Sequence, residues 1–115
     1  MEYLFIPDLI MSFGHISIKV DIFKYNNNTD QFELHYTYDC GGIPGIYDFG
    51  ISEDQSMMVI ALDSETQVVT GMIEKDPVVV QRLSSMYRVG LSGDGKYLVE
   101  GKQNGELDVY VNCDY

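Results

Sequence analysis

Apolar and polar residues alternate with a period of two along much of this chain, the pattern of strands with two unlike faces. Ile16, Ile18, Val20 and Ile22 fall on one face of a segment whose other face is Ser17, Lys19 and Asp21. Residues 32–38 alternate again. Further on, Leu107, Val109 and Val111 alternate with Asp108, Tyr110 and Asn112, which predicts a strand with those three apolar residues on a buried face. No segment carries apolar residues at i, i+3, i+4 and i+7 over a competing length, so no helix is predicted.

Turn chemistry divides the alternation into strands. Asp94-Gly95 and Asn104-Gly105 supply two hairpin turns, because Asp and Asn tolerate the left-handed backbone and Gly adopts it without steric cost. They make residues 90–112 an antiparallel meander. Earlier in the chain, strands are predicted at residues 8–13, 16–22 and 32–38, with Gly14-His15 as a two-residue turn and Asn26-Asn27-Asn28-Thr29 as a polar tip. Cys40-Gly41-Gly42-Ile43-Pro44-Gly45 breaks the pattern and reads as a connection, since three glycines and a proline hold no ladder. Strands at 46–51, 57–62, 66–73 and 78–83 follow, with turns at 53–55, 63–65 and 74–77, and Ser84-Ser85 leads into the final meander from residue 86. The expected count is three strands, then four, then three.

The final meander has an earlier copy. At an offset of 40, Tyr47-Asp48-Phe49-Gly50-Ile51-Ser52-Glu53-Asp54 lies over Tyr87-Arg88-Val89-Gly90-Leu91-Ser92-Gly93-Asp94. Met58-Val59 then falls on Leu98-Val99, Ala61 on Gly101 and Val69 on Val109, with no gap. A period near 40 built from short strands is the repeat length of a β-propeller blade. The fold expected is all-β: consecutive four-stranded antiparallel meanders of propeller type in a single domain, with blade-like units at 8–38, 46–83 and 86–112. About two and a half blades form an incomplete ring, since closure takes at least four. The first unit lacks an innermost strand and the last an outermost one. Such open edges and apolar end faces drive association.

Leu91-Ser92-Gly93-Asp94-Gly95-Lys96-Tyr97-Leu98, followed by Asn104-Gly105-Glu106-Leu107-Asp108-Val109-Tyr110, resembles a blade of the WD40-repeat and related propeller families. There an apolar-Ser-x-Asp-Gly-Lys-x-apolar segment joins the first two strands, and an Asp/Asn-Gly turn precedes a third strand ending in an aromatic. The preceding unit matches with Gln55 in place of the turn glycine and Ser64-Glu65 in place of Asn-Gly. The chain has no tryptophan, so Val109-Tyr110-Val111 stands nearest to the family's Trp-Asp pair. The resemblance implies a propeller fold and a role in protein–protein contact, and it transfers no functional residue.

Charge narrows the partners. The 115 residues carry a formal net charge of -11, so nucleic-acid phosphate and anionic lipid are repelled, and basic partners remain allowed. Neither is an expected partner. Residues 1–13 lack a basic signal-peptide start, and no apolar run reaches the ~20 residues a membrane span needs. Cys40 and Cys113 sit in no metal-ligand spacing and read as free thiols in a reducing compartment, which makes the cytoplasm the expected location.

Candidate chemistry is thin. His35 lies on the polar face of its strand and reads as solvent-exposed, and His15 reads as a turn residue. Asp54, Asp63 and Asp94 occupy turns, where a carboxylate bonds its own backbone. The segment 41–45 leads to no helix and no Gly-Lys-Ser/Thr, which makes it a turn and not a phosphate loop. Asn27-Asn28-Thr29 is formally a glycosylation sequon at a hairpin tip. The nine tyrosines suit strand packing, with some available to a partner. These residues predict a non-enzymatic interaction or scaffold module, without cofactor or metal, that meets a protein partner or itself through open blade edges. The alternative is part of a propeller enzyme such as a hydrolase or lactonase, for which only Asp48 and Arg88 stand at the inner strands.

Overall fold

The fold is seen in a computed structural model that describes residues 2–12, 14–41 and 45–111. Ten strands run in chain order: β1 Tyr3–Ser12, β2 His15–Asn26, β3 Gln31–Asp39, β4 Ile46–Ile51, β5 Met57–Leu62, β6 Thr66–Thr70, β7 Val78–Leu83, β8 Arg88–Leu91, β9 Tyr97–Gly101 and β10 Leu107–Val111. They form three antiparallel meanders, β1-β2-β3 (sheet I), β4-β5-β6-β7 (sheet II) and β8-β9-β10 (sheet III). The three-four-three strand count is the expected one, and no helix occurs among the described residues.

Sheet II lies between the other two, which is why β5 is buried along its whole length. Met58, Ile60 and Leu62 pack with Phe5, Ile18, Val20 and Ile22 of sheet I. Met57, Val59 and Ala61, on the opposite face, pack with Val89 and Leu98 of sheet III and with Met86. The run Met-Met-Val-Ile-Ala-Leu therefore has no polar face because it has no solvent face.

Polar ties join the sheets. Gln55 clamps β1 at both backbone groups of Tyr3, accepting from its N–H at 3.1 Å and donating to its carbonyl at 2.6 Å. Buried Tyr38 donates to Gln67 Oε1 at 2.9 Å, and His35 Nε2 donates to the Ile73 carbonyl at 2.7 Å. Between sheets II and III, Asp48 accepts from the Val89 N–H at 3.0 Å, and the Glu53 N–H donates to the Gly93 carbonyl at 2.7 Å.

The turns at Ser52 and Ser92 are copies in hydrogen bonding as well as in sequence. Ser52 Oγ donates to Asp54 Oδ1 at 2.8 Å and accepts from the Met57 N–H at 3.1 Å. Ser92 Oγ donates to Asp94 Oδ1 at 2.7 Å and accepts from the Tyr97 N–H at 2.9 Å. Gln55 and Gly95 hold the same left-handed place, with φ of 63° and 73°. A left-handed non-glycine residue costs roughly 1–2 kcal/mol, and the clamp on Tyr3 offsets it.

Several expectations are corrected. β1 starts at Tyr3, not residue 8, and runs through Pro7, which an edge strand tolerates. Ser12 pairs directly with His15, so His15 begins a strand and is not a turn residue; Phe13 lies outside the described residues. β6 ends at Thr70, not residue 73, because Gly71 adopts φ +82° and its carbonyl accepts from the Asp76 N–H. β8 begins at Arg88, and Met86 is a buried plug ahead of it. In β3, whose pairing shifts at Leu34–Tyr36, the alternation is interrupted, and His35 and Tyr36 both turn toward sheet II. Val99 pairs with Val109 where Val59 pairs with Val68, so the two hairpins differ by one residue and Val109 corresponds to Val68, not Val69.

Candidate interaction surface

Strand alternation leaves each end of the three-sheet stack with an outward face, and both carry exposed apolar residues. On sheet III the Arg88–Gly101–Leu107 and Gly90–Val99–Val109 rows point away from sheet II, with Tyr97 and Val111 beyond them. Leu107, Val109 and Val111 are 67%, 59% and 54% exposed. The alternation of β10 is as expected, but its apolar side faces outward. Asp108 and Tyr110 are the half-buried residues instead, Tyr110 against the sheet II–III core and Asp108 in a 2.8 Å ion pair with Lys102.

On sheet I, Ile18, Val20 and Ile22 are fully buried toward sheet II, so Lys19, Asp21 and Phe23 point outward; Ile16 falls among side chains outside the described ones. Their cross-strand partners share that face: Leu4 and Leu34 beside Phe23, Ile6 and Thr37 beside Asp21, Asp8 and Asp39 beside Lys19. Tyr25 and Phe32 extend it as a tilted aromatic pair with centroids 5.3 Å apart. Leu34 is 61% exposed there. Contiguous exposed apolar area of this kind marks contact surfaces.

Sheet III has no strand beyond β10 among the described residues, where sheet II has β7 beyond β6. A cleft of about 180 Å³ opens there, lined by Thr70, Val80 and Gln81 of sheet II and by Lys96, Leu98 and Tyr110 of sheet III and its turn. On β4 and just ahead of β8, Tyr47 and Tyr87, 40 residues apart, stack with centroids 4.9 Å apart, and Tyr47 donates to Asp63 Oδ1 at 2.6 Å. That bond holds the Tyr47 hydroxyl proton and raises its pKa. The pair was visible in the sequence as two aligned tyrosines, but their contact was not.

Other residues singled out in the sequence have structural partners. Asp48 is committed to two backbone N–H groups, of Phe49 at 2.9 Å and Val89 at 3.0 Å, while Arg88 stands exposed on the outer face of sheet III. The structure does not converge them on a substrate-sized site. His35 is not the solvent-exposed residue expected: it is half-buried, bonded to Ile73 and edge-on to Tyr3 at 5.3 Å. Asp54 is drawn below the usual carboxylate range, chiefly by the Ser56 hydroxyl, and Asp94 chiefly by the Lys96 N–H. Asn28 N–H donates to Asn26 Oδ1 at the β2–β3 tip. Cys40 is buried and unpaired, and burial pushes its thiol up to about 12; Cys113 lies outside the described residues. Residues 42–44 of the glycine-rich connection also lie outside them.

Among the described residues no three His, Cys, Asp or Glu side chains group as metal ligands, and no helix is long and apolar enough to cross a membrane. No family model, curated protein or solved structure matches this chain.

Proposed function

We propose that this chain is a non-enzymatic protein–protein interaction or scaffold module built from WD40-like propeller blades, working within a larger assembly. The observation that carries the reading is the outer face of sheet III, where Leu107 and Val109 stand exposed in a chain that buries Thr66 and Val68, their counterparts in sheet II. The acidic surface favours partners with basic rims. A buried, unpaired Cys40 suits a reducing compartment such as the cytoplasm.

A photo-crosslinking residue placed at Val109, with Ser56 as an exposed control, tests this in cells that make the full chain. A discrete protein adduct at position 109 and none at 56 is expected. Equal labelling at both positions, or none at 109, overturns the reading. So does hydrolysis of an ester panel that Asp48→Asn abolishes in a chain that still folds, which would favour the propeller-enzyme alternative.

A further inference from the structure

We propose that the outer face of sheet III packs onto the outer face of sheet I of a second copy of this chain, head to tail, so that two copies close on each other through two identical contacts. This rests on the interaction-module reading and names its partner.

Within one chain every sheet has a face toward the preceding sheet and a face toward the next. The outer face of sheet III is built like the next-facing side of sheet II. Gly50, Val59 and Val68 form a row there, and β8 comes so close that the Leu91 nitrogen lies 3.5 Å from where a Cβ on Gly50 would be. Gly90, Val99 and Val109 repeat that row on the outer face, and a Cβ on Gly90 would meet nothing within 4 Å. The same bare strip that seats a sheet inside the chain is covered by none of the described residues on the outside. The outer face of sheet I is the stack's preceding-facing side, and it offers Leu4, Ile6, Phe23 and Leu34.

Charge agrees in sign and position. The outer face of sheet III carries Arg88 and no acid among its strand residues, whereas that of sheet I carries Asp8, Asp21 and Asp39 against Lys19. Tyr3, at the start of β1, lies beside Gln55, just ahead of β5, so β1 runs the same way as β5 and as its counterpart β9. Asp8 and Asp39 therefore sit at the end of the stack that holds the Arg88–Gly101–Leu107 row, and Leu4, Phe23 and Leu34 toward the end that holds Tyr97 and Val111. Continuing the chain's own stacking step sets arginine near aspartate and leucine near valine. Two copies bring six sheets, within the four to eight that propeller rings contain, so a head-to-tail contact closes instead of running on.

Sedimentation of the full chain across a concentration series tests the contact, using Val109→Lys and Leu34→Lys, two exposed positions whose variants should keep the native far-ultraviolet circular dichroism. The parent is expected at the mass of two copies and each variant alone at one. An equimolar mixture regains a two-copy species, because the intact sheet III face of Leu34→Lys meets the intact sheet I face of Val109→Lys. A parent that stays at one copy, a mass beyond two, a Leu34→Lys chain that still pairs, or a mixture that stays at one copy overturns the proposal. If the crosslink at position 109 meanwhile yields an adduct heavier or lighter than two copies, the interaction reading stands and only the choice of partner fails.

Discussion

Met57, Val59 and Ala61 of β5 and Tyr97, Val99 and Gly101 of β9 hold corresponding places, yet the first three are buried, Tyr97 is exposed, and Val99 and Gly101 are only partly buried. The strands match in pattern, pairing and the turn that precedes them. They differ in having a neighbour on that face: sheet III covers it on β5, and nothing among the described residues covers it on β9. Burial in a stack of sheets is thus a property of position in the pile, and alternation reports that two faces exist without saying which one is covered.

The largest test of that comparison is a charge on each strand. Val59→Lys places an ammonium between two sheets and should cost more than about 4 kcal/mol, leaving no cooperative unfolding transition. Val99→Lys, compared at a dilution where the parent is a single copy, should keep the transition within about 1 kcal/mol of the parent. Equal loss would mean the outer face of sheet III is core after all.

Alkaline pH should separate the two inter-sheet contacts. Burial raises Tyr38 from 10.0 to about 12 and Cys40 from 9.0 to about 12, and both lie in the sheet I–II core. Each holds its proton more tightly folded than unfolded. That stability is fully present below about pH 9 and drains away as pH rises toward 12. Urea midpoints should fall across that window, and hydrogen exchange should quicken in β1–β3 before β8–β10. The opposite order would place the weaker contact elsewhere.

A smaller difference is expected at the paired turns. Ser52 is buried, so Ser52→Ala strands the Met57 N–H and should cost about 1–3 kcal/mol. Ser92→Ala should cost no more than about 1 kcal/mol, because water reaches the Tyr97 N–H. Comparable to Ser92→Ala is Gln55→Gly, where relief of the left-handed backbone partly offsets two lost bonds to Tyr3, for a net loss of about 1 kcal/mol seen first as faster exchange in β1.

Strand count, antiparallel order and the 40-residue copy were legible because they rest on local signals, alternation and turn residues. The paired Ser–Asp turns were the clearest of these. Less legible was whatever depends on a distant segment. Gln55 reads as a departure from a turn glycine, and only the neighbouring sheet explains it. The polar alternation around His35 hid an interruption that turns it inward, and the apolar row of β10 read as core because no local rule distinguishes a covered face from an open one. The candidate surface was visible as an expectation of exposed ends, while its residues, Val109 against Val68 and Gly90 against Gly50, needed the register.

β5 carries a hazard during synthesis. Six consecutive apolar residues with high strand propensity leave the ribosome before the sheet that covers their second side has been made. Such a hexapeptide is prone to intermolecular zipper formation while it waits. Glu53 and Asp54 precede it and Asp63 and Glu65 follow it, so nascent chains brought together at this strand would meet like charges at both ends. Neutralising those four acids should lower the yield of unaggregated protein more than it lowers the stability of protein already folded.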